Sequence, residues 1–361
     1  MRICFVSTEI FHWGYYGGFG KLTRMIGANL VKAGFEVYVL MPIVSKDQRT
    51  IENLDGMTVI GLPSRFSRSL FKLCQADIFH SEEPDINSYL AMIHNGQKKH
   101  IITFQDPRTI DEQVDSIWRF HPKWNNYPFR FRAKTRLNLS EFLIRKAINR
   151  ADGLFCQAKY IIPRVQSMYN LKRTPVFLPN PVEIPERSLR KDDTPTVCFI
   201  ARWDPVKRNE VLLGLVERFP DIRFIVPGKA HSPQRDCYLR ELGRKYPNLE
   251  MPGFVSEGKK SEILERSWVM VNTSSRECLP VSFLEASAHK CAILSSNNPD
   301  EFAEKFGYFV TDMNFEKGLN SLIKNNNWKE AGERGYEYVK ETHELSKVLR
   351  QHIEVYKSIS E

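Results

Sequence analysis

The segment Val269-Met270-Val271-Asn272, followed by Arg276-Glu277-Cys278-Leu279-Pro280-Val281-Ser282-Phe283-Leu284-Glu285-Ala286, reads as strand, turn and helix. Three apolar positions ahead of Asn272 suit a buried strand. Pro280 fits the first helical turn, where its missing N–H costs nothing. Val281, Leu284 and Ala288 then recur at helical spacing. This places Glu277 in the loop before the helix and Glu285 about a turn and a half inside it. Between the two acids lie the orphan N–H groups of a helix N-terminus, which attract anions. Two carboxylates able to hold hydroxyls beside a phosphate cradle suit a nucleotide-sugar better than a metal. The same spacing also arises on an ordinary solvated helix face.

The strand–helix alternation extends over the whole chain. Ile3–Ser7, Glu36–Met41, Met57–Leu62, Ile78–His80, Ile101–Phe104 and Gly153–Cys156 read as strands, with helices at Lys21–Lys32, Asn87–Asn95 and Leu139–Arg150. The Pro-rich, charged stretch from Pro179 to Pro195 reads as a linker. After it the pattern restarts, with strands at Thr196–Ala201, Arg223–Pro227, Leu249–Met251, Val269–Asn272 and Ala292–Ser295. Helices follow at Asn209–Arg218, Gln234–Lys245, Lys259–Arg266 and Val281–His289, and Ser346–Ile359 is a last one that can return to the first domain. Apolar strands separated by amphipathic helices imply parallel βαβ units. The expected class is therefore α/β: two Rossmann-like, doubly wound parallel-sheet domains facing a central cleft, where ligands bind at strand C-termini.

At 361 residues the chain is long enough for two such domains. Its 42% hydrophobic and 26% charged content excludes a disordered chain. No apolar run approaches ~20 residues, so no transmembrane helix is expected. The N-terminus reads directly as a strand and lacks the features of a signal peptide. Seven scattered cysteines without a CxxC pair favour neither a disulfide frame nor a zinc site. A reducing cytoplasm is the expected location, with the chain soluble or peripheral on the cytoplasmic membrane face. The net charge of +9 is uneven: residues 119–150 hold nine basic residues against one acid, Glu141.

Two further turns carry candidate chemistry. Trp13-Gly14-Tyr15-Tyr16-Gly17-Gly18-Phe19-Gly20-Lys21 follows the first strand, and Gly17 and Gly18 allow a phosphate or sugar to approach the backbone. A plain tight turn is the alternative, since neither GxGxxG nor GxxxxGK[ST] is present. Ile200-Ala201-Arg202-Trp203-Asp204-Pro205-Val206-Lys207 opens the second domain. Arg202 and Lys207 at such a turn can neutralise a diphosphate, or can be ordinary surface cations.

Together these stretches resemble a retaining glycosyltransferase of family 4, of the GT-B fold (glycosyl transferases group 1). The resemblance runs through Gly17-Gly18, Asp77-Ile78-Phe79-His80, Leu178-Pro179-Asn180-Pro181-Val182, Arg202 with Lys207, and Glu277 through Glu285-Ala286. It implies an acceptor-side domain over 1–185, completed by a C-terminal helix at about 344–361, and a donor-binding domain over 186–343. By the same resemblance Arg202 and Lys207 hold the departing diphosphate and Glu277 touches donor-sugar hydroxyls. Glu285 then binds the ribose diol, while the amides around Leu279, Pro280 and Val281 complete the cradle. His80 and Gln105 match positions that contact sugar or acceptor. The donor is a nucleoside diphosphate sugar and the acceptor a polysaccharide, glycolipid or lipid-linked glycan; no metal or other cofactor is expected.

This chain departs from the family pattern at several places. Gln105 stands where a histidine is common, Arg208 and Cys278 where glycines are, and Asn180-Pro181 replaces Asn-Gly. These departures keep a degenerate, non-catalytic assembly subunit as an alternative. A dinucleotide-dependent oxidoreductase needs GxGxxG and an acid after the second strand, where Met41-Pro42 stands instead. The aromatic, basic segment 118–136, with Trp124, Arg130, Arg132, Lys134 and Arg136, suits a membrane interface or an anionic acceptor. A solvated loop is the plain alternative, and no RNA-binding motif accompanies it, so no nucleic-acid partner is expected.

Overall fold

The computed structural model describes residues 1–13, 17–46, 48–63, 68–120 and 127–361, with backbone only at 68, 117–120, 127 and 128. The chain divides into two compact units, Met1–Pro181 with Ser346–Glu361, and Val182–Leu345. The division falls at Pro181, before most of the Pro-rich stretch. Val182 is already held by the second unit: its N–H donates to His343 O (2.7 Å), and Leu345 N–H donates to Val182 O (3.0 Å).

The first unit runs β1 (Arg2–Val6), α1 (Gly18–Lys32), β2 (Glu36–Pro42), β3 (Ile51–Leu54), β4 (Met57–Leu62), α2 (Arg68–Leu73) and β5 (Ile78–Ser81). It continues with α3 (Ile86–His94), β6 (Lys99–Phe104), α4 (Ile110–Phe120), α5 (Tyr127–Arg150), β7 (Gly153–Cys156), α6 (Ile161–Tyr169) and β8 (Val176–Phe177). Its eight strands lie in the order β3-β4-β2-β1-β5-β6-β7-β8. All are parallel except β3, which pairs antiparallel with β4 at one edge. Side chains alternate across this sheet with period two. Ile3 and Phe5 join Val37, Val39, Ile26 and Leu30 in one core, while Cys4 and Val6 join Leu40, Ile60, Phe71 and Phe79 in the other.

The second unit runs β9 (Thr196–Cys198), α7 (Asn209–Arg218), β10 (Arg223–Pro227), α8 (Pro233–Gly243), β11 (Leu249–Gly253), α9 (Glu257–Arg266), β12 (Val269–Asn272) and α10 (Val281–Ala288). It closes with β13 (Ala292–Ser295), α11 (Phe302–Lys305), β14 (Gly307–Phe309), α12 (Phe315–Ile323) and α13 (Asn327–Thr342). Its six parallel strands lie in the order β11-β10-β9-β12-β13-β14. Glycine is required where β10 ends, because Gly228 has φ +132° and a Cβ there would stand 2.1 Å from Ala201 O. That close approach brings the turn after β9 against the turn after β10.

The last helix, α14 (Leu345–Ser360), packs on the first unit. Tyr356 is fully buried in the core that contains Ile3 and Phe5. The helix expected from Leu139 begins instead at Tyr127, so most of the basic segment is helical rather than looped. Pro280 is not in the first turn of α10 but caps it, in extended conformation (φ −71°, ψ 140°).

Candidate active site

In the second unit the candidate residues converge on the C-terminal edge of the sheet, the edge where ligands bind in doubly wound folds. Pro205–Lys207 form one 3₁₀ turn after β9, closed by Lys207 N–H to Asp204 O (2.9 Å). Lys207 Nζ lies 2.5 Å from Glu277 Oε1, joining two residues 70 positions apart. The same carboxylate oxygen accepts Asn272 Nδ2 (3.1 Å) and Ser274 Oγ (2.6 Å). Glu277 N–H donates to Asn297 Oδ1 (3.0 Å). Glu277 thus sits in a fixed cradle of one cation from the turn after β9 and two neutral donors from the end of β12, its own N–H held by Asn297 after β13.

Arg202 is exposed, its Nε 3.0 Å from Asp204 Oδ2 in an ion pair. Asp204 is buried at 2% exposure and accepts His231 N–H (3.4 Å) through its other oxygen. Glu285 lies inside α10, buried at 7% exposure. Lys260 of α9 reaches it (2.8 Å) while also pairing with Glu257 (3.0 Å). Nearby, Ser261 Oγ and His289 Nε2 are 2.7 Å apart, a second tie between α9 and α10. Leu279 is buried, whereas Pro280 and Val281 are half-buried at the start of α10. No side-chain hydrogen bond caps that helix, and the Phe283 N–H donates to Pro280 O (2.9 Å).

In the first unit Gly17 is the N-cap of α1 and Gly18 its exposed first residue. The carboxylate Glu9 Oε1 accepts the N–H of Gly20 (3.0 Å), so this helix start already carries negative charge. His80 is buried at 1% exposure. Its Nδ1 is 2.8 Å from Tyr356 Oη and its Nε2 is 2.8 Å from Thr103 Oγ1. Burial, aided by His352, holds its pKa well below the usual range. Both ring nitrogens are therefore engaged inside the unit, and no ligand contact is offered.

Gln105 is likewise turned inward. Its Nε2 donates to Asn180 Oδ1 (3.2 Å), and Asn180 Nδ2 donates back to Gln105 Oε1 (2.9 Å). Asn180 Nδ2 also reaches Gln157 Oε1 (3.2 Å), and Gln157 Nε2 donates to Gln105 O (3.2 Å). Three buried carboxamides thus clasp the ends of β6, β7 and the strand exit after β8. Beside them Glu83 accepts the backbone N–H groups of Gln105 (2.6 Å) and Asp106 (2.7 Å). Burial pushes Glu83 up to about 8, and Glu82, which Thr23 contacts, up to about 7.

The cationic segment divides into two sets. Arg130 pairs with Asp115 (3.2 Å) and Lys134 with Asp111 (2.8 Å), both acids on α4. Arg132 and Arg136 are exposed and have no ion-pair partner among the described residues. Trp124 lies outside the described residues. Among the described residues, no group of three or more His, Cys, Asp or Glu is arranged to hold a metal.

Several participants were not singled out from sequence. Asn272 and Ser274 had a local signal, a polar run directly after β12. Lys260 and Asn297 acquire their partners only through tertiary packing, and Arg208, noted in the sequence only as standing where glycine is common, does the same.

Residues 182–350 match the family model described as glycosyl transferases group 1. The matched segment, just under half of the chain, is similar to glycosyl transferases group 1. The match contains Arg202, Lys207, Glu277 and Glu285, and the domain marks the protein as a glycosyltransferase. No curated protein matches the chain by sequence. Among solved structures, the sucrose-phosphate synthase of Thermosynechococcus elongatus aligns with a TM-score of 0.74 at 16% identity, covering 99% of this chain and 98% of that one. HepE of Anabaena in complex with UDP-glucose aligns at 0.70 and 12% identity, covering 99% and 100%. The catalytic domain of Arabidopsis thaliana starch synthase IV, bound to ADP and acarbose, aligns at 0.64 and 11%, covering 99% of each chain. At these identities the likeness establishes the fold, which is GT-B.

Proposed function

We propose that the glycosyltransferase is a retaining enzyme that moves a sugar from a nucleoside diphosphate donor to a polysaccharide, glycolipid or lipid-linked acceptor. The observation that carries this is the Lys207–Glu277 contact, with Arg202 in the same segment after β9 as Lys207 and Glu277 in the loop before α10. When the bond between sugar C1 and the phosphate oxygen breaks, negative charge grows on the diphosphate. Arg202, Lys207 and the amides near Leu279 and Val281 meet that charge with fixed donors, which lowers the barrier. Glu277, held by its three donors, is left to orient sugar hydroxyls. Glu285 takes the ribose diol, with Lys260 sharing one of its oxygens. The acceptor hydroxyl attacks C1 from the face the phosphate leaves, and its proton passes to the departing phosphate oxygen. Configuration is retained and no metal or protein nucleophile takes part.

α5 supports the lipid-side half of this reading. Phe131, Leu139 and Phe142 are 63%, 67% and 55% exposed and fall within one helical face. Arg132 and Arg136 flank them. An exposed apolar stripe bordered by cations suits an anionic leaflet, each cation there contributing ~1 kcal/mol. No helix among the described residues is long and apolar enough to cross a membrane, so this contact is peripheral.

A thermal-shift screen of UDP-, ADP- and GDP-sugars tests the donor assignment. A true donor at 100 times its Kd adds ~2.7 kcal/mol of stability, and absence of any shift refutes the assignment. The anomeric configuration of the product, read by NMR, tests retention. The degenerate-subunit reading requires donor binding without release of nucleoside diphosphate.

A further inference from the structure

Arg208 follows Lys207 in a left-handed conformation, φ 49° and ψ 53°. Glycine adopts this geometry freely, whereas a side chain there costs roughly 1–2 kcal/mol. The guanidinium is nevertheless built into the site. Its Nε donates to Thr273 O (2.5 Å), and Nη2 donates to Ser274 O (3.1 Å) and Ser296 Oγ (2.9 Å). Nη1 reaches Met313 Sδ (3.4 Å). None of these partners is an acid, and burial pulls the Arg208 pKa below its ordinary value.

The contacts are concentrated on the two loops that carry the reacting end of the site. Ser274 donates to Glu277 (2.6 Å) through its hydroxyl. Its carbonyl, besides accepting Arg208, accepts Asn297 Nδ2 (2.6 Å), and Asn297 in turn receives the Glu277 N–H (3.0 Å). On the other side Thr273 Oγ1 donates to Lys207 O (2.6 Å) and Arg208 O (3.1 Å). Ser275 N–H closes the stitch on Val206 O (2.8 Å). The planar fork of arginine spans several acceptors at once, which an ammonium cannot do in the same geometry.

We infer that Arg208 is a positioning residue for the donor site. It pins the Lys207 turn to the Thr273–Glu277 loop and so sets where Lys207 Nζ and the Glu277 carboxylate stand relative to the donor's diphosphate and sugar. The inference rests on the donor-site reading above. It explains why this chain keeps arginine where the backbone favours glycine: the fork fixes active-site register rather than the fold.

Arg208→Gly and Arg208→Lys test it. Glycine relieves the backbone, so the Gly variant melts close to wild type. Its affinity for inorganic pyrophosphate and for UDP, ADP or GDP, measured by calorimetry, falls about tenfold. Its kcat falls further, about 10²-fold, as expected for a site displaced by about an ångström. The measured reaction is hydrolysis of the nucleotide-sugar giving the largest thermal shift. Free guanidinium, added well below denaturing concentrations, restores part of the rate of the Gly variant. Arg208→Lys keeps the charge and loses the fork, so its kcat falls similarly. Wild-type kcat and KM in both variants overturn the inference while leaving the donor site standing. So does a Gly variant whose melting temperature drops while its kinetics stay unchanged, since that marks a role in the fold alone. A wild-type protein that binds neither pyrophosphate nor any of the three nucleotides refutes the donor-site reading, and the inference falls with it.

Discussion

Replacing Lys207 by methionine isolates the cation that the geometry places on Glu277. The contact is 2.5 Å long, and the two side chains are only 19% and 10% exposed. Without the ammonium, Glu277 Oε1 keeps Asn272 and Ser274 as donors, so the carboxylate is under-compensated rather than abandoned. A charge-assisted hydrogen bond contributes ~1.5–3 kcal/mol, whereas breaking a fully buried ion pair costs ~3–5 kcal/mol. With two neutral donors remaining, about 2 kcal/mol is expected for Lys207→Met. For a domain of this size that lowers the melting temperature by about 4–8 °C. Turnover falls more steeply, by ~10²–10³, because the proposed function also gives this ammonium the leaving diphosphate to stabilise. Glu277→Gln removes the stranded charge, so the double variant Lys207→Met/Glu277→Gln recovers much of the lost stability. It recovers none of the activity. Differential scanning fluorimetry and initial-rate measurement of nucleoside diphosphate release read the two effects separately, and the double-mutant cycle gives the coupling. Unchanged melting and unchanged turnover in Lys207→Met would falsify both the ion pair and its role.

Glu285→Gln weakens nucleoside diphosphate binding in calorimetry; an unaltered Kd removes Glu285 from the ribose site. Arg132→Glu with Arg136→Glu reduces cosedimentation with anionic vesicles, whereas Arg130→Gln with Lys134→Gln has a smaller effect because those cations already meet Asp115 and Asp111. Equal losses from both pairs contradict that division. Glu82 is raised to about 7 from an ordinary 4.5, so the folded state holds its proton longer than the unfolded chain does. Its contribution is full below about pH 4.5 and is lost as pH rises through about 7. Glu82→Gln is therefore more stable relative to wild type at pH 8 than at pH 5, by up to ~3 kcal/mol, and thermal melts giving the same difference at both pH values refute this.

Much of the fold was legible because buried strands of a parallel sheet are continuous apolar runs. β1, β2, β4, β10, β12 and β13 declare themselves in this way. The edge strands of the first unit do not: β8 has two residues, and β3 alternates exposed and half-buried positions with no fully buried face. α5 was concealed between Tyr127 and Leu139 because its aromatic residues and cations interleave without a clean 3.6-residue period. In the site, Arg202, Lys207, Glu277 and Glu285 were visible because turns and helix starts have local signatures. Lys260 was not, and Arg208 showed only as a departure from glycine, since the partners of both lie on other elements. His80 and Gln105 were visible as candidates, but sequence does not show whether a polar side chain faces a ligand or the interior, and both face the interior.

The carboxamide clasp of Gln105, Gln157 and Asn180 bears on how the protein ages. Asparagine decays to aspartate when the following backbone nitrogen, losing its hydrogen, closes a ring on the side-chain carbonyl. An Asn-Gly pair allows this readily. Here Asn180 is followed by Pro181, whose nitrogen carries no hydrogen to lose. Aspartate at this position would bring a charge to a site 3% exposed, facing the oxygens of two glutamines where its own donor used to be. The proline closes that cyclisation route, and with it the fastest way for a charge to arise among the three strand ends.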